Sequence, residues 1–206
     1  MVKKEMTHSS RFIVKAFFLF FILAASPAFG QENLPTLIKK VEPSIVVILT
    51  YNKEGKILGQ GSGFFINKEG DVITNYHVLQ EANGAVIRTT DGKEYSVKKV
   101  LAEDRESDLI RVSVDISEEA VRPLTLANQI PEVGERIIVI GTPLGLDKTV
   151  SDGIVSAVRA MPKFGNIIQV TAPISPGSSG SPVINMKGEV IGIVTFFIIA
   201  GQNLNF

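Results

Sequence analysis

The sequence is poor in the residues on which several kinds of functional site depend. Its 206 residues include no cysteine, no tryptophan and only two histidines. The lack of cysteine excludes disulfide bonds, a thiol nucleophile, iron–sulfur clusters and cysteine-based zinc sites, and two histidines are too few for a histidine-rich metal centre. Basic and acidic residues balance at 21 each, and without a polybasic run nothing favours nucleic-acid binding. We therefore expect a function without metal, other cofactor or nucleic acid.

The first thirty residues differ in composition from the rest. A segment with four basic residues precedes an apolar run at 16–25, and small residues precede Gln31. This order is typical of a secretory signal peptide, whereas the alternative, a membrane anchor, needs about 20 apolar residues. We predict a signal peptide at 1–30, cleaved after Gly30, and a periplasmic or secreted protein comprising 31–206 without a membrane span. That protein carries 17 basic and 20 acidic residues, a net charge of −3.

Short apolar runs with two-residue alternation make up most of the remaining chain. Glycine, asparagine, aspartate and proline separate them, which is typical of a β-sandwich or of β-barrels. The sequence therefore predicts an all-β protein. The predicted strands are 44–50, 56–67, 71–75, 84–90, 94–101, 109–114, 135–141, 148–158, 166–171, 181–186 and 188–198.

One segment near the N-terminus has helical spacing instead. Leu34, Leu37, Ile38 and Val41 recur at three- and four-residue intervals, and Asn33 is placed to cap the first turn. We predict a short helix over 34–41. Its pattern leaves open whether the apolar face packs on its own chain or on a neighbouring subunit.

Only one histidine remains once the signal peptide is removed. His8 is lost with that segment, and His77 follows a predicted strand that ends in polar residues. A lone histidine is more often structural or simply exposed than catalytic. His77 becomes a candidate general base only in combination with other features.

A loop with three serines is the second feature. Residues 176–182 read Pro-Gly-Ser-Ser-Gly-Ser-Pro, and glycine allows backbone N–H groups in such a turn to converge on one point, as a tetrahedral oxyanion requires. The alternative is a flexible serine–glycine loop. The loop does not match the G-x-S-x-G elbow of α/β-hydrolases, because position 181 is serine. Gly59, Gly61 and Gly63 form a glycine cluster without a following helix, so a phosphate site is poorly supported.

An acidic residue is the third feature. Asp108 directly precedes a predicted strand, where its carboxylate could orient an imidazole. Asp104 and Glu103 compete for this role, and a solvated charged loop is the ordinary alternative. Asp108 differs from both because it adjoins the apolar run.

These features occur in a sequence that resembles the HtrA branch of the trypsin-like serine proteases. The resemblance implies two perpendicular six-stranded antiparallel β-barrels, at about 44–115 and 122–206, with the active site in the cleft between them. It covers most of 31–206 in collinear order. The segments that carry it are 61–67 (GSGFFIN), 70–79 (GDVITNYHVL), 107–112 (SDLIRV), 133–146 (VGERIIVIGTPLGL), 149–158 (TVSDGIVSAV) and 176–193 (PGSSGSPVINMKGEVIGI).

The resemblance also assigns roles to individual residues. It implies that Ser179 is the nucleophile, that His77 is the general base and acid, and that Asp108 sets the imidazole tautomer. The backbone N–H groups of Gly177 and Ser179 would form the oxyanion hole. The primary specificity pocket would be supplied by Ile174, Val194, Thr195 and Phe196.

The chain departs from the family pattern at the nucleophile and at its end. Ser178 and Ser181 stand where the family usually has asparagine and glycine, and Ser181 would be strained if its position required a positive φ. Family members often add a PDZ domain, and we expect none within residues 31–206. The sequence stops at Phe206, where the family's last strand normally continues, so we expect a truncated last strand in a fragment of a longer protein.

Taken together, the residues and the resemblance predict an exported serine endopeptidase that hydrolyses unfolded or damaged proteins. The pocket segments contain no aspartate or glutamate, so we expect cleavage after small or medium aliphatic residues. The resemblance leaves a homo-oligomer open. Two alternatives remain: a catalytically weak trypsin-fold binding module or pseudoprotease, and a non-enzymatic β-rich envelope protein, which requires His77, Asp108 and Ser179 to lie far apart.

Overall fold

A computed structural model describes residues 33–142, 149–161 and 165–195. The predicted signal peptide, the expected truncated last strand and Phe206 lie outside the described residues. No helix in the described part of the chain is long and apolar enough to span a bilayer.

The first six strands form a closed barrel. Their hydrogen-bonded order is β1-β2-β3-β6-β5-β4, and the antiparallel pair β1–β4 closes the ring by placing Val47 opposite Arg88. Because successive side chains of a strand lie on opposite faces, one face of each strand points into the barrel. There, branched side chains and Phe65 form the barrel core. The strands are β1 (Ile45–Tyr51), β2 (Ile57–Phe65), β3 (Asp71–Asn75), β4 (Gly84–Arg88), β5 (Glu94–Asp104) and β6 (Leu109–Val114).

The next six strands form a second sheet. Its order is β10-β9-β8-β11-β12-β7, and a core that contains Val139, Val155 and Val194 lies against it. Within the described residues, β10 and β7 are its end strands. The strands are β7 (Thr125–Leu126), β8 (Arg136–Gly141), β9 (Thr149–Met161), β10 (Gly165–Val170), β11 (Pro182–Asn185) and β12 (Glu189–Ile193).

The predicted all-β class is confirmed, and one pairing differs from the expected antiparallel pattern. Strand β7 runs parallel to β12, with Thr125 opposite Glu189. It was not predicted, because two residues are too few to show alternation. Ten of the other strands each contain most of a predicted run, and β12 contains five of the eleven residues of the run 188–198.

A helix near the N-terminus packs between the two sheets. Helix α1 (Leu34–Val41) begins after Asn33, whose side chain accepts a hydrogen bond of 3.0 Å from the Thr36 backbone N–H. Its buried residues Leu37 and Val41 share one cluster with residues of the first barrel and of the second sheet. The apolar face of α1 therefore packs on its own chain.

Candidate active site

Neighbouring strands bring His77 and Asp108 together. His77 lies in a short helix, α2 (Tyr76–Leu79), directly after β3, and Asp108 directly precedes β6. Since β3 and β6 pair antiparallel, the end of one strand adjoins the start of the other. The imidazole Nδ1 lies 2.7 Å from Asp108 Oδ2, and the His77 backbone N–H donates to Asp108 Oδ1 at 2.9 Å. Both carboxylate oxygens therefore hold the histidine.

The backbone of Asp108 has an uncommon conformation. Its φ is 55°, and it is the only non-glycine residue with a positive φ in the described part of the chain. Aspartate tolerates this left-handed region better than most residues, although it costs about 1–2 kcal/mol. The Tyr76 backbone N–H donates to the Asp108 carbonyl oxygen at 3.0 Å and stabilises this turn. The strain is localised at the residue that contacts the imidazole.

The two competing acidic residues have other partners. The Asp104 carboxylate accepts hydrogen bonds from the backbone N–H groups of Glu106 and Ser107. The bond from Ser107 is the main reason why the pKa of Asp104 lies below its usual value. Glu103 forms an ion pair with Arg105 at 2.8 Å. Of the three acids, only Asp108 contacts His77 in the structure.

The serine loop contains two backbone N–H groups that donate no hydrogen bond to a backbone carbonyl oxygen among the described residues. Its amides at Ser178, Gly180 and Ser181 donate to backbone carbonyl oxygens at 2.9–3.0 Å, whereas those of Gly177 and Ser179 do not. Gly177 and Gly180 adopt φ values of 94° and 84°. Glycine tolerates these angles without the clash that a Cβ atom causes. The two remaining N–H groups fit the donors that an oxyanion hole requires.

Ser62, which sequence reasoning missed, anchors this loop to the first barrel. Its backbone N–H donates to the Ser179 carbonyl oxygen at 2.8 Å. Its hydroxyl donates to the Gly177 carbonyl oxygen at 3.0 Å, and the residue is fully buried. The neighbouring glycines, Gly61 and Gly63, were the feature of the sequence that could have pointed to Ser62. Without a side chain, they let the serine loop and other elements approach this strand closely.

The strain anticipated at Ser181 does not occur. The positive φ belongs to Gly180, and Ser181 is not among the residues with a positive φ. Its hydroxyl is buried without a hydrogen-bond partner among the described residues. Gly141 provides the space, because a Cβ atom there would lie 2.5 Å from Ser181 Oγ. Serine is therefore accommodated at this position by the small residue opposite it.

The proposed pocket residues occupy different places. Ile174 and Thr195 line a cavity of about 290 Å³. Val194 is fully buried in the second core and does not line it, and Phe196 lies outside the described residues. Among the described residues, no charged side chain lines this cavity. The sequence did not identify the branched residues of β10 and β12 that complete its apolar wall. These residues are Ile168, Val170, Ile191 and Ile193.

This arrangement agrees with the comparison to known families. A family model described as a trypsin-like peptidase domain matches residues 61–193. The chain belongs to this family. The predicted resemblance to the trypsin-like serine proteases is therefore confirmed.

Relatives of this trypsin-like peptidase domain are named as serine proteases. The putative serine protease HhoA of Synechocystis is 39% identical over 152 residues, which cover 69% of this chain and 38% of HhoA. A probable periplasmic serine endoprotease, DegP-like, of Pseudomonas fluorescens is 38% identical over 136 residues, which cover 65% of this chain and 28% of that protein. The chain thus spans well under half the length of these curated relatives.

Solved structures show the same fold. The HtrA-type protease AlgW with a tripeptide is 28% identical with a TM-score of 0.72, and the match covers 82% of this chain and 57% of that one. The serine endoprotease from Yersinia pestis has a TM-score of 0.72 at 24% identity, covering 88% of this chain and 62% of that one. The fold of this trypsin-like peptidase domain is therefore that of HtrA proteases.

Proposed function

We propose that the chain is a serine endopeptidase in which Ser179, His77 and Asp108 form the catalytic triad. The observation that carries this proposal is the 2.7 Å contact between His77 Nδ1 and Asp108 Oδ2. The carboxylate favours the tautomer with the proton on Nδ1, which leaves Nε2 free to accept a proton. A histidine held in this way is a general base suited to neutral pH.

The proposed reaction proceeds in two steps. The Ser179 hydroxyl attacks the carbonyl carbon of the scissile peptide bond while His77 Nε2 takes its proton. The resulting oxyanion accepts hydrogen bonds from the backbone N–H groups of Gly177 and Ser179. His77 then donates the proton to the leaving amine, which departs and leaves an ester on Ser179. Water hydrolyses this ester by the same steps, so that no metal or cofactor takes part.

We also propose that the protein is exported and acts on unfolded or damaged proteins. The composition of residues 1–30 supports a signal peptide. The DegP-like relative is named a periplasmic serine endoprotease, which favours the periplasm. An unfolded segment offers an extended backbone, which can reach the cavity lined by residues of the first barrel and of the second sheet.

A fluorophosphonate probe tests the proposed nucleophile. We expect covalent labelling of the purified protein at Ser179 and complete loss of labelling in Ser179→Ala, because only an activated serine reacts with the probe. Ser175→Ala is the matched control: it lies in the same segment, its side chain is exposed, and it should label like the wild type. Absence of labelling in a well-folded wild-type sample would instead support the binding-module alternative.

The lining of the cavity predicts the cleavage preference. The described residues of its wall are mostly apolar and include no carboxylate, so a peptide library should show cleavage after small or medium aliphatic residues. Placing a carboxylate in the wall by Ile174→Asp should raise cleavage after lysine or arginine by about tenfold relative to valine, which corresponds to about 1.4 kcal/mol. Strong cleavage after lysine or arginine by the wild type would overturn the assignment of this cavity as the specificity pocket.

A further inference from the structure

We propose that Asn75 is a positioning residue that holds Asp108 in the orientation required by His77 and links this acid to the second sheet. The proposal rests on the proposed function of the triad. Asn75 is the last residue of β3 and is fully buried. Nothing in its sequence context distinguished it from an ordinary strand residue.

The side chain of Asn75 donates two hydrogen bonds. Its Nδ2 donates to the Asp108 carbonyl oxygen at 3.0 Å and to Thr195 Oγ1 at 2.9 Å. The Asp108 carbonyl oxygen can only accept, so the nitrogen of the amide must face it. This chemistry assigns the orientation of the side chain and leaves its Oδ1 on the opposite side.

The environment of the Oδ1 atom indicates that Asn75 has a role other than packing. It is buried without a hydrogen-bond partner among the described residues. An unsatisfied buried acceptor is unfavourable, and an apolar side chain of similar size would avoid it. The two donated bonds are therefore the feature that distinguishes asparagine from such a side chain at this position.

The first of these bonds acts on the strained residue of the site, Asp108. Asp108 has a φ of 55°, and its carbonyl oxygen accepts from Asn75 Nδ2 and from the Tyr76 backbone N–H. Fixing this peptide group fixes the direction of the Asp108 side chain, whose two oxygens contact His77. Loss of the Asn75 donor would allow the turn to relax and the carboxylate to move away from Nδ1.

The second bond connects the triad to the cavity. Thr195 follows β12 of the second sheet and lines the cavity of about 290 Å³. Asn75 lies in the first barrel, so its amide bridges the two halves of the molecule directly behind the acid. Through this bridge, the position of Asp108 depends on the wall of the cavity that would hold the substrate side chain.

The experiment observes the imidazole directly. The full chain, including residues 1–30, is expressed and purified with the substitution His8→Gln. His77 is then the only imidazole whether or not residues 1–30 are cleaved. In the wild type, the proton between Nδ1 and Asp108 should give a downfield NMR resonance. Two substitutions remove the donors: Asn75→Asp keeps the shape, and Asn75→Leu keeps a similar volume and remains informative if the aspartate variant does not fold.

We expect both variants to shift this resonance upfield or to abolish it. We also expect kcat to fall by about 10- to 100-fold, with a much smaller change in KM, because small displacements of catalytic groups are costly. Thr195→Val should change the resonance in the same direction by a smaller amount. Asn185→Asp is the matched control: among the described residues, the side chain of that buried asparagine bonds only to Lys187 and Glu189, so its loss should lower stability without moving the resonance.

The outcomes separate this inference from the proposed function. An unchanged resonance and unchanged kcat in folded Asn75 variants would overturn the positioning role. If the wild type hydrolyses no peptide but its resonance still responds to Asn75 substitution, the proposed function fails and the positioning role stands. If Asn185→Asp perturbs the resonance as much as Asn75→Asp does, the effect is a general loss of stability and the inference is wrong.

Discussion

Replacement of His77 by alanine is expected to lower kcat/KM for peptide hydrolysis by about four to six orders of magnitude. The substitution removes the base that accepts the serine proton and the acid that protonates the leaving amine. No other histidine exists in residues 31–206, so no second imidazole can take over. The measurement is the initial rate on an unfolded protein substrate at neutral pH.

The same variant should remain folded. The His77 side chain is 40% exposed, so its removal leaves no cavity in either core and should change the thermal midpoint little. A variant that keeps its wild-type midpoint and loses hydrolysis supports the proposed chemistry. Activity within tenfold of the wild type would contradict it, because the reaction would then not depend on the imidazole.

Replacement of Gly180 by alanine should destabilise the protein by about 2–5 kcal/mol. Two costs add at this position. The φ of Gly180 is 84°, which a residue with a Cβ atom adopts at a cost of about 1–2 kcal/mol. The added Cβ would also overlap the Ser62 carbonyl oxygen and Thr74 Oγ1, and forced displacement in a packed region costs about 1–3 kcal/mol more.

Gly92 offers a matched control for this prediction. Its φ of 81° is nearly the same, but a Cβ atom there would meet nothing within 4 Å. Gly92→Ala should therefore cost only about 1–2 kcal/mol. Urea unfolding of both variants measures the difference in the free energy of unfolding. Equal losses of stability would show that close packing of the serine loop on Ser62 contributes nothing to stability. Gly180→Ala should also lower the labelling rate of Ser179, since its clash lies next to that serine.

The regular strands were the most predictable part of the fold. The run 109–114 alternates strongly because one face of the strand packs on a core, and the structure places β6 there. Helix α1 was predictable for a similar reason, since four apolar residues and an asparagine cap define it. In contrast, β7 has no internal pattern, and only its partner β12 makes it a strand.

The site residues were predictable where their residue type rarely occurs in such a sequence context for structural reasons alone. A single histidine after a strand and a serine in a glycine-rich loop are uncommon enough to be noticed, and the resemblance supplied their roles. Asn75 and Ser62 were not predictable, because buried polar residues in strands have many ordinary explanations. Their importance lies in which atoms they contact across the two sheets.

By itself, the sequence determined the all-β class, because this class depends on local periodicity, and its resemblance to a known family supplied the family and the proposed roles of the triad residues. The tertiary structure decided which acid contacts His77: Asp104 ends β5 and accepts from backbone N–H groups of its own loop, whereas Asp108 precedes β6, the strand that pairs with β3. It also decided that helix α1 packs on its own chain and that Ser181 is unstrained opposite Gly141. Each of these depends on contacts between residues that are distant in sequence, which periodicity and composition do not encode.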